Sequence, residues 1–134
     1  GVTPAAGTDA ILPPGSNADP KAMKPPYRHL TLNYNIDING IQFDPSPDGS
    51  YHGQFEYAVI VYDNSDGKTV NSSVMAAKPS VPLSVYQSML DSGANLRQEI
   101  AVPAKGDYIL RIGVHDLTTD HLGAIEIPVS TITP

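Results

Sequence analysis
The chain has no cysteine and no tryptophan, two phenylalanines in 134 residues, and eight Lys and Arg against fourteen Asp and Glu. Without cysteine there is no disulfide framework and no thiolate metal site, and cysteine gives no reading of redox compartment. A formal net charge of -6 repels phosphate backbones and anionic membrane surfaces, so nucleic acid is not an expected partner. No apolar run approaches the roughly 20 residues of a spanning helix, and no basic region followed by an apolar stretch marks a signal peptide. No membrane insertion is expected. A start at Gly1 rather than Met reads as a piece cut from a longer protein.

Chemistry-bearing motifs are equally sparse. No Gly-x-Ser-x-Gly elbow and no Gly-rich phosphate loop occurs, and no catalytic residue or cofactor is expected. Glu56, Glu99 and Glu126 could pair as glycosidase acids only by leaving the solvated strand faces on which their apolar neighbours put them.

Proline is plentiful at the start. Pro4, Pro13, Pro14, Pro20, Pro25 and Pro26 stand among Gly, Ala, Ser and Asn without hydrophobic periodicity. Residues 1–26 therefore read as a partly disordered linker, extended and largely solvated unless the folded body holds it down, with poor order expected before about Lys24, and residues 27–134 as one domain. From Leu30 the pattern alternates: Leu30, Leu32, Tyr34, Ile36 and Ile38 against Thr31, Asn33, Asn35 and Asp37, a strand with one wet face. Asn39-Gly40 shifts that phase, as a bulge or tight turn would.

Gln54 to Tyr62 is apolar on both parities and reads as a central strand. Asp63 to Gly67 is a hairpin loop, and Lys68 to Ala76 a more polar edge strand. Leu83, Tyr86, Met89 and Leu90 have helical spacing, with Gly93 placed for a left-handed cap. Strand character resumes at Leu96 to Val102, Tyr108 to Asp116 and Ala124 to Val129. Parity puts Tyr108, Leu110, Ile112 and Val114 inward, with Ile125, Ile127 and Val129 beside them. Six or seven short strands and one short helix predict an all-β, immunoglobulin- or fibronectin-like antiparallel sandwich in which Tyr108 anchors a corner.

The four histidines, His29, His52, His115 and His121, are the candidates for transition-metal binding or general base work near neutral pH. His115 and Asp116 are adjacent in a strand and point to opposite faces, which prevents a His-Asp relay between them unless the strand ends there. Asp116 and Asp120 are expected to cap the loop 117–122 by accepting backbone N–H bonds, in preference to a zinc site joining His115, His121 and an acid. The acidic turns at Asp44/Asp48 and Asp63/Asp66 lack the spacing of a calcium loop and read as turns. No metal is expected. The remaining candidate for a ligand or interaction surface is Tyr51 and His52 together with His115, Asp116, Asp120 and His121, provided that these converge at one end of the sandwich.

Three segments carry a resemblance: PPYRHLTLNYNI at 25–36, SPDGSYHGQFEYAVIVYDNSDGKTVN at 46–71, and LSVYQSMLDSGANLRQEIAVPAKGDYILRIGVHDLTTDHLGAIEIPV at 83–129. Together they resemble the C-terminal β-rich region of the acidobacterial von Willebrand factor A-related proteins. The resemblance implies an exported multidomain bacterial protein, extracellular or periplasmic, with a von Willebrand A-like domain upstream and a non-catalytic module here. The adhesion motif Asp-x-Ser-x-Ser of that upstream domain does not occur in this chain, so its chemistry does not carry over. The leading expectation is an accessory or interaction module with a protein or glycan partner. A carbohydrate-binding or adhesive module is the alternative, and a hydrolase with a dispersed His-Asp-Ser site a third.

Overall fold
A computed structural model describes residues 12, 13 and 15–132 in full and Val2–Asp9 as backbone. Gly1, Ala10, Ile11, Pro14, Thr133 and Pro134 lie outside the described residues, and so does the linker reading at those positions. The chain is predominantly antiparallel β-sheet with one α-helix, an all-β sandwich. Ten strands are described: β1 (Val2–Asp9), β2 (Tyr27–Ile36), β3 (Asp44–Pro45), β4 (Ser50–His52), β5 (Phe55–Asp63), β6 (Thr69–Ala77), β7 (Ser80–Pro82), β8 (Ala94–Pro103), β9 (Tyr108–Asp116) and β10 (Leu122–Pro128). The helix α1 spans Leu83–Ser92. The six long strands β2, β5, β6, β8, β9 and β10 are those that alternation marks. β3, β4 and β7 are too short to show a period, and β1 is rich in residues that do not alternate.

Two sheets face each other, ordered β1-β2-β8 and β10-β9-β5-β6, and a small third sheet β3-β4-β7 closes one end. Strand alternation builds the main core. Leu30 and Leu32 of β2, Ile100 and Val102 of β8, Val59 and Val61 of β5, and Leu110 and Ile112 of β9 all bury their side chains in one cluster. Each such burial stabilises the fold by about 1.5–3 kcal/mol. A second cluster sits under the small sheet and α1, joining Ile36, Ile38, Ile41, Phe43, Phe55 and Tyr57 with Tyr51, Tyr86, Met89 and Leu90. The phase shift expected at Asn39-Gly40 is a tight turn that also takes in Ile38, so the strand ends at Ile36: residues Ile38–Gly40 form a 3-10 turn, capped by Asp37, whose carboxylate accepts the Asn39 N–H at 2.9 Å.

The N-terminal stretch is held down by the body. The backbone of β1 pairs with β2, the Asn17 and Asp19 N–H groups donate to the carbonyls of Ser72 and Val70 at 2.8 and 2.9 Å, and Met23 is buried in the main core. Proline removed donors from this stretch, yet the free donors at Asn17 and Asp19 suffice to cover the edge of β6. Tyr108 lies half-buried over Gly106, whose φ of 119° keeps the backbone in the left-handed region; a Cβ there would come within 2.6 Å of the ring. One inward assignment fails. Ile125 shares the inward row of β10 with Ile127, opposite Ile112, but is 59% exposed because the facing sheet does not extend over it.

Candidate functional site
The end of the sandwich at which β4 and the β9–β10 loop meet is organised by Asp116. As the last residue of β9 it points inward, opposite to His115, and is buried. Its Oδ2 accepts from the Gln42 N–H and the Thr119 hydroxyl, both at 2.8 Å, and its Oδ1 from the Thr118 N–H at 2.9 Å. Burial opposes ionisation, but the Gln42 and Thr118 N–H groups and the Thr119 hydroxyl outweigh it and hold the carboxyl below the usual range. Asp116 thus caps the loop, as its type and position suggested, and also ties in the chain after the 3-10 turn. Gln42 continues the link, since its Nε2 donates to Asp44 in β3 at 2.8 Å.

Asp120 plays a different part from the one its sequence position suggested. Its carboxylate accepts from His115 Nε2 at 2.5 Å on the outer face of the sheet, while its backbone stands at φ 63° and its N–H donates to the Asp116 carbonyl. Capping by the Asp120 side chain is replaced by an exposed ion-pair contact, because the left-handed turn aims the carboxylate back along the strand.

Tyr51 and His52 lie at the same end but face other neighbours. The Tyr51 ring stacks on Tyr86 at 4.8 Å, and Tyr86 stacks in turn on Phe43 at 5.1 Å. Gly53 makes room for this stack: a Cβ on it would meet the Phe43 ring at 2.8 Å. Tyr51 is therefore packing rather than an open platform. His52 Nε2 is 2.9 Å from Ser50 Oγ, which donates its one proton to Asp48 at 2.5 Å. The hydroxyl then accepts from His52, the reverse of the order in which a histidine deprotonates a nucleophile. The Asp48 carboxyl is lowered by the Ser50 hydroxyl and backbone N–H, as in an ordinary side-chain-capped turn.

His121 and Asp116 share a cleft of about 440 Å³ with residues that sequence reasoning did not single out: Ile36, Asp37 and Ile41 on one wall, Leu122 and Ile125 on the other. Tyr51 and His52 are not part of this cleft. Leu122 and Ile125 are 62% and 59% exposed. The signal that could have found them is the composition of β10, an edge strand reading LGAIEIP, apolar throughout except for Glu126. On the outer face of the same strand, Leu122 and Ala124 also border a smaller groove of about 290 Å³ over Ala58, Ile60 and Val74.

Among the described residues no group of three or more His, Asp or Glu side chains is placed to hold a metal ion, and no helix is long and apolar enough to cross a membrane. Comparison with family models, with curated proteins and with solved structures found no match to this chain.

Proposed function
We propose that the chain is a non-catalytic module that binds protein, carried in an exported multidomain bacterial protein behind a von Willebrand A-like domain. The supporting observation is the exposure of Leu122 and Ile125 on one strand beside an apolar cleft. Large apolar side chains left uncovered on both faces of one strand, Ile125 beside the cleft and Leu122 on the outer face, mark an interaction surface. The exported setting and the upstream domain rest on the sequence words of residues 25–36, 46–71 and 83–129 alone.

Two measurements test this reading. The parent gene upstream of the codon for Gly1 should encode an export signal and an Asp-x-Ser-x-Ser motif. The separately purified upstream domain, titrated into isotope-labelled chain, should shift amide resonances along β10 and around the 3-10 turn. A parent gene with neither feature overturns the setting, and binding to a glycan array with no response to protein overturns the module reading in favour of a carbohydrate-binding one.

A further inference from the structure
We propose that the outer edge of β10 is a strand-addition site for an extended segment of a partner protein, one that alternates apolar residues with lysine or arginine. This rests on the protein-binding reading above and names its surface.

The backbone chemistry of the edge follows from the ladder. The Asp116 N–H donates to the His121 carbonyl at 2.8 Å, which makes these opposed residues a hydrogen-bonded pair. In antiparallel strands such pairs alternate with non-bonded ones. Carried through Leu122↔His115, Gly123↔Val114, Ala124↔Gly113, Ile125↔Ile112 and Glu126↔Arg111, the alternation leaves the N–H and C=O groups of Leu122, Ala124 and Glu126 directed away from β9. Pro128 falls in the same row, where its missing N–H removes nothing from the ladder. A row of outward donors and acceptors is a template for another strand.

The edges of β6 and β8 are guarded where β10 is left open. The edge of β6 is covered by the N-terminal stretch through Asn17 and Asp19. β8 presents the ion pair Arg97–Glu99 and is bonded to β6 through Gln98. β10 has no lysine, and its one charge, Glu126, accepts from the Tyr62 hydroxyl. Of the usual devices that discourage edge pairing it carries Pro128 at its C-terminal end, so the open stretch of the edge runs from Leu122 to Glu126.

The side chains of the occupant follow from the surroundings. A strand laid along β10 turns one row of side chains into the cleft against Ile36, Ile41 and Ile125, which suits apolar residues. The alternate row falls on the outer face of the sheet, where Glu56 and Glu126 stand beside Arg111. With a net charge of -6 on the chain, a second copy meets like charge, whereas a cationic strand meets its complement.

The test uses the whole chain with a fluorescent peptide of about ten alternating lysine and valine residues, a length that matches an ordinary strand, and its glutamate-valine counterpart as control. The lysine peptide should bind, the glutamate peptide about tenfold or more weaker, and hydrogen exchange at the Ala124 and Glu126 amides should slow on binding. Ala124→Pro deletes an outward N–H that the ladder does not use, and Ile125→Lys puts a cation at the cleft without altering the backbone. Both should weaken binding by about tenfold or more. Unchanged binding by either variant, or no added protection at Ala124 and Glu126, overturns the proposal, and the exchange readout stands even if Ala124→Pro does not fold. A dimer of the wild-type chain that Ala124→Pro converts to monomer assigns the edge to a second copy and also overturns it. Failure here with intact shifts from the upstream domain removes the edge alone; failure of both removes the protein-binding reading with it.

Discussion
The side-chain amide of Asn71 in β6 donates to the Ala101 carbonyl of β8 at 2.9 Å, bridging the two sheets through a fully buried polar group. Gln98 of β8 returns the bond to the Ser73 carbonyl at 2.9 Å and accepts from the Tyr34 hydroxyl at 3.1 Å. These reciprocal bonds close one side of the sandwich, opposite the side left open at β10. Asn71→Ala strands the Ala101 carbonyl in the core and leaves the half-buried Ser72 N–H without its acceptor. Urea unfolding should show a loss of about 1–3 kcal/mol, with β6 the strand whose amides exchange faster.

Asp116 should make stability depend on acid. Its folded pKa lies below the unfolded value of about 3.9, so its stabilisation is complete above that value and is lost as pH falls through the lower folded pKa. Asp116→Asn keeps the shape, cannot ionise, and replaces a charged acceptor by a neutral one. It should cost about 1.5–3 kcal/mol at pH 6 and flatten the stability profile below pH 4. Denaturant midpoints across that range check both, and an unchanged profile would show that other carboxylates carry the acid response.

Gly93 stops α1 at φ 75°, ψ -173°, with its N–H on the Met89 carbonyl. That backbone region is open essentially to glycine alone, and a Cβ would come within 2.1 Å of Asn35 Oδ1 and 2.6 Å of the Ile36 carbonyl. Gly93→Ala should lower stability by at least about 2 kcal/mol, seen as an earlier thermal midpoint.

Asp120 separates backbone strain from its ion pair. At φ 63° a glycine relieves the left-handed conformation, whereas alanine keeps its cost of about 1–2 kcal/mol. The contact with His115 is exposed on the Asp120 side and contributes about 0–1 kcal/mol. Asp120→Gly should therefore be close to neutral and Asp120→Ala no more stable than wild type. If Asp120→Gly destabilised the chain by more than about 1 kcal/mol, the ion pair would hold more of the loop than its exposure allows.

Much of the frame is legible in residue order because burial on one face writes a period of two. Val59 and Val61 of β5, Leu110 and Ile112 of β9, and Leu30 and Leu32 of β2 all occupy the inward row that alternation assigns them. Gly93 and the helix before it follow for the same kind of reason, a local conformational demand that one residue type meets. The site was legible only in part. Asp116 announces a capped loop by its type and place, but its bond to Gln42 joins residues 74 positions apart, and local sequence holds no trace of that distance. Tyr51 counts among the candidate surface residues by sequence, but Tyr86, from the helix, covers its face.

Alternation, turn residues and the abundance of acid over base determined by themselves that the chain is an acidic all-β body with one short helix and no thiol chemistry, since these depend on local geometry and composition. Only the tertiary structure decided which apolar residues are left uncovered. Ile125 and Ile127 share one row of one strand, and what differs between them is whether another part of the chain, far away in sequence, lies over them. Cover is a property of how sheets of unequal width are stacked, and the same accident of stacking that buries Leu110 leaves β10 with a free edge and a cleft beside it.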